Sequence, residues 1–408
     1  MGSRGAWVAV AVLLGVLPLS FDSVLSLGIL NQMLIAVLFA LSYNTLLGQG
    51  GLLSFGHAVY FGLGGYVAAH AMRLGELGSL SLPLVLLPLA GATGGLLAAL
   101  LLGSMSTRRG GTAFTMISLG LGELLAAAAL ILVAFFGGEA GISGDRTAGP
   151  ALLGQSFASE TAVYYHAAVW VFLGTLCLAA FRQTPAGRLA MAVRDNPLRA
   201  QCLGYSPARV RLICFLVAGT FAGMAGALFA IHNEIITSQA LGTANAGQVL
   251  LMCFLGGTGY FLGPVLGAVL LTLCTALLSD YTTLSTLYLG LLFVGCVMFL
   301  PGGLSELLHQ LHVRWRQRTL RTLARPLARC ALPTAILLSC GVLLLELAAR
   351  EGGILRVAAL ELPARSGWSW FGLAGAALVA AVLLRRELPA LQQAWRAADA
   401  AYDRWSRP

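Results

Sequence analysis

Glu123 lies in the middle of the apolar run 112–136. A carboxylate at the centre of a bilayer costs about 2.5–3.5 kcal/mol on insertion scales. Glu123 is therefore either a proton-carrying group or an acid kept protonated or paired between helices. A second set of polar side chains, Gln49, Ser54 and His57, falls in the glycine-rich stretch Gly48–Gly56. Glycines free the backbone there, and exposed amides beside these side chains can line a wet solute path. A turn between packed helices, with Ser54 capping one of them, is the equal alternative. Asn44 and Thr115 are further polar groups suited to such a lining. His232, Asn233 and Glu234 close another apolar run, where they either meet a soluble partner or are simply solvated. Glu346 sits near the end of its run, within reach of the interface.

Composition removes several other kinds of chemistry. All 25 basic residues are Arg. A phosphate-binding Walker A loop needs a Lys to reach the β- and γ-phosphates, so no such ATPase site is expected on this chain. The eight cysteines form no CxxC pair and show no zinc-type spacing, which leaves them as small packing residues. No basic stretch is interleaved with stacking aromatics, so nucleic acid is not an expected partner.

The elements that must carry these groups are membrane spans. The chain is 58% hydrophobic and 10% charged, with mean hydropathy +0.84, against roughly 25% charged residues in a soluble domain. A span takes about 20 apolar residues. Apolar segments are expected near residues 6–20, 25–47, 57–73, 82–103, 112–136, 162–181, 212–232, 248–259, 261–279 and 287–300, with two more near 331–349 and 369–385. The first run resembles a signal peptide, but Pro18-Leu19-Ser20-Phe21-Asp22 offers no small-x-small cleavage site, so an uncleaved span is expected. The expected fold is all-α and polytopic, with ten core spans and a C-terminal two-helix extension. Gly and Pro interrupt several runs, and irregular backbone at membrane depth is tolerated only inside protein or beside water.

Arginine clusters fix the expected orientation, because cytoplasmic loops carry the basic excess. Arg108 and Arg109, the run Arg182–Arg211, the run Arg314–Arg329 and the C-terminal arginines all land on one side if the N-terminus is cytoplasmic. The long loop 137–161 on the other side carries Glu139, Asp145 and Glu160 against Arg146 alone. Both termini are accordingly expected in the cytoplasm.

The segment Thr184–Arg211 is polar and basic, yet it keeps apolar residues at helical spacing: Leu189, Ala192 and Val193, then Leu198 and Cys202. Asn196-Pro197 is a cap followed by a first-turn proline, and Gly204 can end the short helix that follows. Such a helix is either a docking element for a partner or an ordinary basic loop lying on lipid headgroups.

The stretch GRLAMAVRDNPLRAQCLGYSPARVRLICFLVAGTFAGMAGALFA resembles the cytoplasmic loop and following helix of branched-chain amino-acid ABC permeases of the LivM type, a group that includes urea and amide relatives. Further similar stretches occur in family order over residues 25–304: GQGGLLSFGHAVYFGLGGYVAA, TAFTMISLGLGELL, LLMCFLGGTGYFLGPVLGAVL and LYLGLLFVGCVMFLPGGL.

The resemblance implies a ten-helix importer core over residues 1–304, with a coupling loop at 184–211 in which Arg194, Asp195, Asn196, Arg199 and Gly204 meet an ATPase subunit. It implies a bacterial inner-membrane location and no enzymatic activity in this chain, with ATP and Mg held by partners. Those partners are a paralogous permease, two cytoplasmic ATPases and a periplasmic or lipid-anchored binding protein. The solute is a branched-chain amino acid or, alternatively, urea or a short amide. An Arg-rich linker at 305–330 and a transmembrane hairpin with a cytoplasmic tail at 331–408 extend past the usual family end. Two rivals from other classes are a proton-coupled transporter using Glu123 and a non-transporting membrane scaffold.

Overall fold

Apolar runs become helices in the order the sequence sets them. The structure, a computed structural model, describes residues 3–21, 23–78, 82–147, 157–282, 284–300, 302–316, 320–349, 354–357, 360–363 and 367–406. The helices are α1 (Ser3–Ser20), α2 (Val24–Asn44), α3 (Ala58–Glu76), α4 (Leu87–Ser106), α5 (Thr112–Ile131), the short α6 (Val133–Phe136), α7 (Glu160–Gln183), α8 (Pro185–Asp195), α9 (Pro197–Cys202), α10 (Pro207–Asn233), α11 (Thr243–Gly256), α12 (Gly263–Tyr281), α13 (Ser285–Phe299), α14 (Gly303–Arg316), α15 (Leu320–Ala349) and α16 (Gly367–Ser406). Ser23 opens α2 by accepting the Ser26 N–H at 3.2 Å, and Ser159 opens α7 by accepting the Ala162 N–H at 3.2 Å. Each satisfies one of the orphan donors at a helix start.

The apolar segments read from the sequence are largely helical, although 112–136 is broken at Leu132 into α5 and α6, and the span count differs. Six helical stretches among the described residues are long and apolar enough to cross a membrane, or seven if the bent pair of α13 and α14 is one span. Several helices fall short: the apolar stretches Trp7–Ser20 and Gly263–Ser279 are under 18 residues, and so is α11. α11 has 14 residues, bounded by Gly242 and Gly257, and at 1.5 Å per residue it covers only about 21 Å of the roughly 30 Å of hydrocarbon.

Two units divide the chain: Met1–Tyr281 with Leu289–Glu306, and Thr282–Tyr288 with Leu307–Pro408. In the first, α10 is the central helix. Of its apolar window 61% is buried, against 28% for α5 at the margin. Glycines let α3, α4 and α10 meet backbone to backbone. A Cβ on Gly95 would lie 2.8 Å from Gly223 Cα, and one on Gly223 would run into the Gly91 carbonyl. Small residues of this kind drive helix association where no hydrophobic effect operates. The loop 137–147 is not wholly irregular: Ile142–Ser143 (β1) pairs antiparallel with Ile235–Ile236 (β2).

In the second unit, α15 and α16 pack together, and the strands Ile354–Val357 (β3) and Leu360–Pro363 (β4) form a hairpin between them in sequence. The last apolar segment and the tail are one continuous helix of 40 residues. Glu346 is hydrogen-bonded here. Its carboxylate accepts from the Tyr288 hydroxyl at 3.2 Å and from the Thr282 hydroxyl, partners that a reading of its own run cannot supply.

Candidate functional site

α2 does not end cleanly. After Asn44 the chain continues as a π-helical turn, Thr45–Gln49, and Gly50 N–H reaches back to the Thr45 carbonyl at 3.3 Å. Gly51 then takes φ +64, a left-handed conformation that L side chains rarely adopt. The break that the glycines implied is therefore real, and it turns the chain into α3 through His57.

The polar residues of the break are enclosed. Asn44, Gln49, Ser54 and His57 are each no more than 5% exposed. The Tyr43 hydroxyl donates to the Ser54 carbonyl at 3.0 Å. Ser42 Oγ donates to the Phe39 carbonyl at 2.7 Å and lies 3.0 Å from His57 Nε2. His57 Nδ1 is buried without a hydrogen-bond partner. Phe39 stacks on the imidazole at 11° and Tyr43 meets it edge-on at 82°, which places His57 in an aromatic box. On α5, Ser118 Oγ accepts the Phe55 N–H at 3.2 Å, which seats that helix against the break. Thr115, also buried, donates to the Gly111 carbonyl at 3.3 Å. Glu123 is exposed on the surface of α5 and is not brought together with the others.

The basic loop folds as two helices. Thr184 Oγ1 accepts the Gly187 N–H at 3.2 Å to start α8. Asn196 Oδ1 accepts the Arg199 N–H at 2.9 Å, with Pro197 in the first turn, to start α9. Gly204, at φ +85, ends it. Ala190, Val193 and Ala200 pack with Val210 and Cys214 in a small core of their own. The apolar stripe read through Leu198 and Cys202 does not continue. Asn196 is extended, at φ −152, so α9 starts in a new phase. Ala200 turns inward, while Leu198 and Leu203 are each 71% exposed and Tyr205 and Arg199 stand beside them at the surface.

Arg194 joins the loop to the break. Its Nη1 donates to the Gly48 carbonyl, while Nε and Nη2 each lie 2.9 Å from Asp195 Oδ1. Its methylenes lie over Gly51, where a Cβ would come within 2.6 Å of Arg194 Cγ. A cavity of about 150 Å³ lies at this junction, lined by Asn44, Gln49, Arg182, Arg194 and Thr258 among others. Asn44 Oδ1 and Gln49 Oε1 are buried without a hydrogen-bond partner.

The far end of α10 carries an ion cluster. Arg146 Nη2 lies 2.7 Å from Glu160 Oε1, its Nε lies 3.4 Å from Glu234 Oε1, and its Nη1 donates to the His232 carbonyl at 3.4 Å. His232 and Glu234, read as either meeting a soluble partner or solvated, are tied to the loop that carries β1. Asn233 donates to the Phe229 carbonyl at 3.0 Å.

A larger cavity, about 400 Å³, lies where α2, α3, α10, α11 and α12 meet. Its residues were not among the candidates read from the sequence. The signal in the sequence is the polar run Ser238–Gln248, SQALGTANAGQ, which leads into and begins a helix too short to span.

The structure is a helical bundle with a glycine-broken span joined through Arg194 to a basic capped loop, and comparison with known proteins decides the family. The family model for the branched-chain amino acid transport system permease component matches residues 25–301. The chain belongs to that family. The high-affinity branched-chain amino acid transport system permease proteins LivM of Salmonella typhimurium and Escherichia coli are each 29% identical to it, over 68% and 66% of this chain and 69% and 68% of their own lengths. A shorter match, 35% identical over 22% of this chain and 28% of the relative, is to the autoinducer 2 import system permease protein LsrC of Photorhabdus laumondii. No solved structure matches it. The chain is thus a multi-pass membrane permease component of a transport system with other parts, and its relatives are transport subunits, not enzymes. The family match ends just before α14, so the second unit lies almost wholly outside it.

Proposed function

We propose that this permease forms half of the membrane pathway of an ATP-driven importer for branched-chain amino acids, and that the loop 184–211 receives the stroke of an ATPase subunit. The names of the LivM relatives support the solute. The observation that carries the mechanism is Arg194, which touches both the capped loop and the carbonyl of the broken span. A push on α9, through its exposed Leu198, Leu203 and Arg199, moves Arg194 and with it the turn Thr45–Gln49. The loop end faces the cytoplasm on this reading, and the Arg146 cluster faces a binding protein outside. Two ATPase subunits supply ATP and Mg, and a second permease completes the pathway. The substitutions R194E and R199E together should release the ATPase from the purified complex while leaving membrane insertion intact. Normal assembly and uptake in that variant would overturn the role given to the loop.

Urea or a short amide is the second reading of the cargo, favoured by the neutral amide groups that line the larger cavity. Uptake of leucine, isoleucine and valine against urea and acetamide in proteoliposomes separates the two.

A further inference from the structure

The backbone between α10 and α11 is irregular. β2 and a 3₁₀ turn, Ser238–Leu241, occupy this stretch, and a Cβ on Gly62, early in α3, would lie 2.6 Å from Leu241 Cδ2. The segment therefore reaches into the bundle from the end that carries Glu234. Such backbone occurs within a membrane only where protein buries it or water reaches it. The larger cavity lies beside it, and Thr237, Gln239, Asn245 and Gln248 from this segment and the start of α11 line it. Across from them stand Gln32 of α2 and Thr272 of α12. Gln32 and Gln248 are exposed, and an amide that loses its hydrogen bonds to hydrocarbon is costly, so this opening does not face lipid. Interrupted helices at mid-membrane are where transporters hold their cargo.

The lining also states what the cargo is. Among the described residues, no ionisable side chain borders the cavity. An ion entering it would lose water without gaining a counter-charge, whereas amides and hydroxyls can satisfy a solute whose charges cancel. Phe39, Phe61 and Phe229 form one wall, with Phe61 at 4.5 Å and 5.5 Å from the other two rings. They offer an apolar body a surface to rest on.

We propose that this cavity is a wet binding chamber for a small solute of zero net charge with an apolar side, held by Gln32, Asn245 and Gln248 and packed on Phe39 and Phe61. This rests on the permease reading above, but not on the identity of the solute. In the assembled importer, Ala244→Cys and, from the opposite wall, Ala36→Cys should react with a membrane-impermeant methanethiosulfonate above the background of the native cysteines. A mixture of neutral aliphatic amino acids, acetamide and urea should slow that reaction at least tenfold. The same concentration of lysine, glutamate or phosphate should not. Failure of both cysteines to react, or protection by the charged solutes or by none, overturns the proposal. Protection by the neutral mixture in a complex that takes up no branched-chain amino acid would leave the chamber in place and remove only the cargo proposed above.

Discussion

The Arg194 guanidinium donates to the backbone carbonyl of Gly48, across 146 positions of sequence. One side chain thereby ties a helix at the surface to the turn that breaks α2. Because Nε and Nη2 are held by Asp195 at 2.9 Å, the guanidinium is oriented rather than free. Its replacement by Met keeps much of the stem and removes every donor. We expect R194M to assemble and to hydrolyse ATP, with uptake per ATP reduced about tenfold or more. A variant whose uptake stays in proportion to hydrolysis would show that the contact transmits nothing.

Gly51 supplies the other side of the same contact. Its φ of +64 leaves any L residue strained, at roughly 1–2 kcal/mol, and Arg194 Cγ must yield to a new methyl. G51A should lower the thermal midpoint of the purified permease and disturb coupling together. Measured side by side with R194M, the two should not be additive, because they act on one contact.

How much of this was legible depended on how local each feature is. Asn196, Pro197 and Gly204 announced a capped helix because cap chemistry acts within a few residues, and α9 begins and ends on them. The break at Gly48–Gly56 was equally readable from its glycines. The orientation of α9 was not. A residue in extended geometry at 196 resets the helical phase, and Leu198, which fits the α8 stripe by counting, ends outside it. The larger cavity was out of reach for a different reason. Gln32, Phe61, Phe229, Gln248 and Thr272 share it only because five helices converge, and no spacing in the sequence carries that information.

The glycine seam separates packing from flexibility. A side chain on Gly223 meets the Gly91 carbonyl and backbone atoms of Gly95, none of which can rotate away. G223V should cost about 3 kcal/mol, the upper end of overpacking effects, and should abolish a monodisperse preparation in detergent. Gly120, on α5, has nothing within 4 Å of the position a Cβ would take. G120A should be neutral or stabilising by up to about 1 kcal/mol. Equal behaviour of the two variants would contradict the close approach of α3, α4 and α10.

At the other end, Arg146 holds three partners, so R146A leaves Glu160 without its 2.7 Å cation. Glu160 is 22% exposed and Glu234 is 44% exposed, so the loss should fall below the roughly 3–5 kcal/mol of a fully buried pair. It should appear as faster proteolysis of the loop near Gly141. Asp145 in that loop accepts from the Thr147 hydroxyl and N–H, both at 2.6 Å, and these hold its carboxyl below the usual value of 3.8. Its contribution to loop order is present above the unfolded pKa and is lost as pH falls through the lowered one. T147V should move the onset of acid-induced cleavage by an acid-active protease to higher pH.

Glu123 decides between ATP-driven and proton-driven transport. On α5, Ser118 and Gly122 turn toward the break, while Glu123 is exposed on this chain. A carboxylate left facing lipid would cost about 2.5–3.5 kcal/mol. A carrier that picks up and releases a proton needs that carboxyl to titrate, and Gln keeps its shape without the proton. We expect E123Q to insert normally and to retain uptake within about twofold of the unaltered chain. We also expect uptake driven by ATP inside proteoliposomes to be unaffected by a protonophore. Uptake abolished both by E123Q and by the protonophore, at constant ATP, would instead assign the energy source to the proton gradient and leave α9 as a lipid-facing loop.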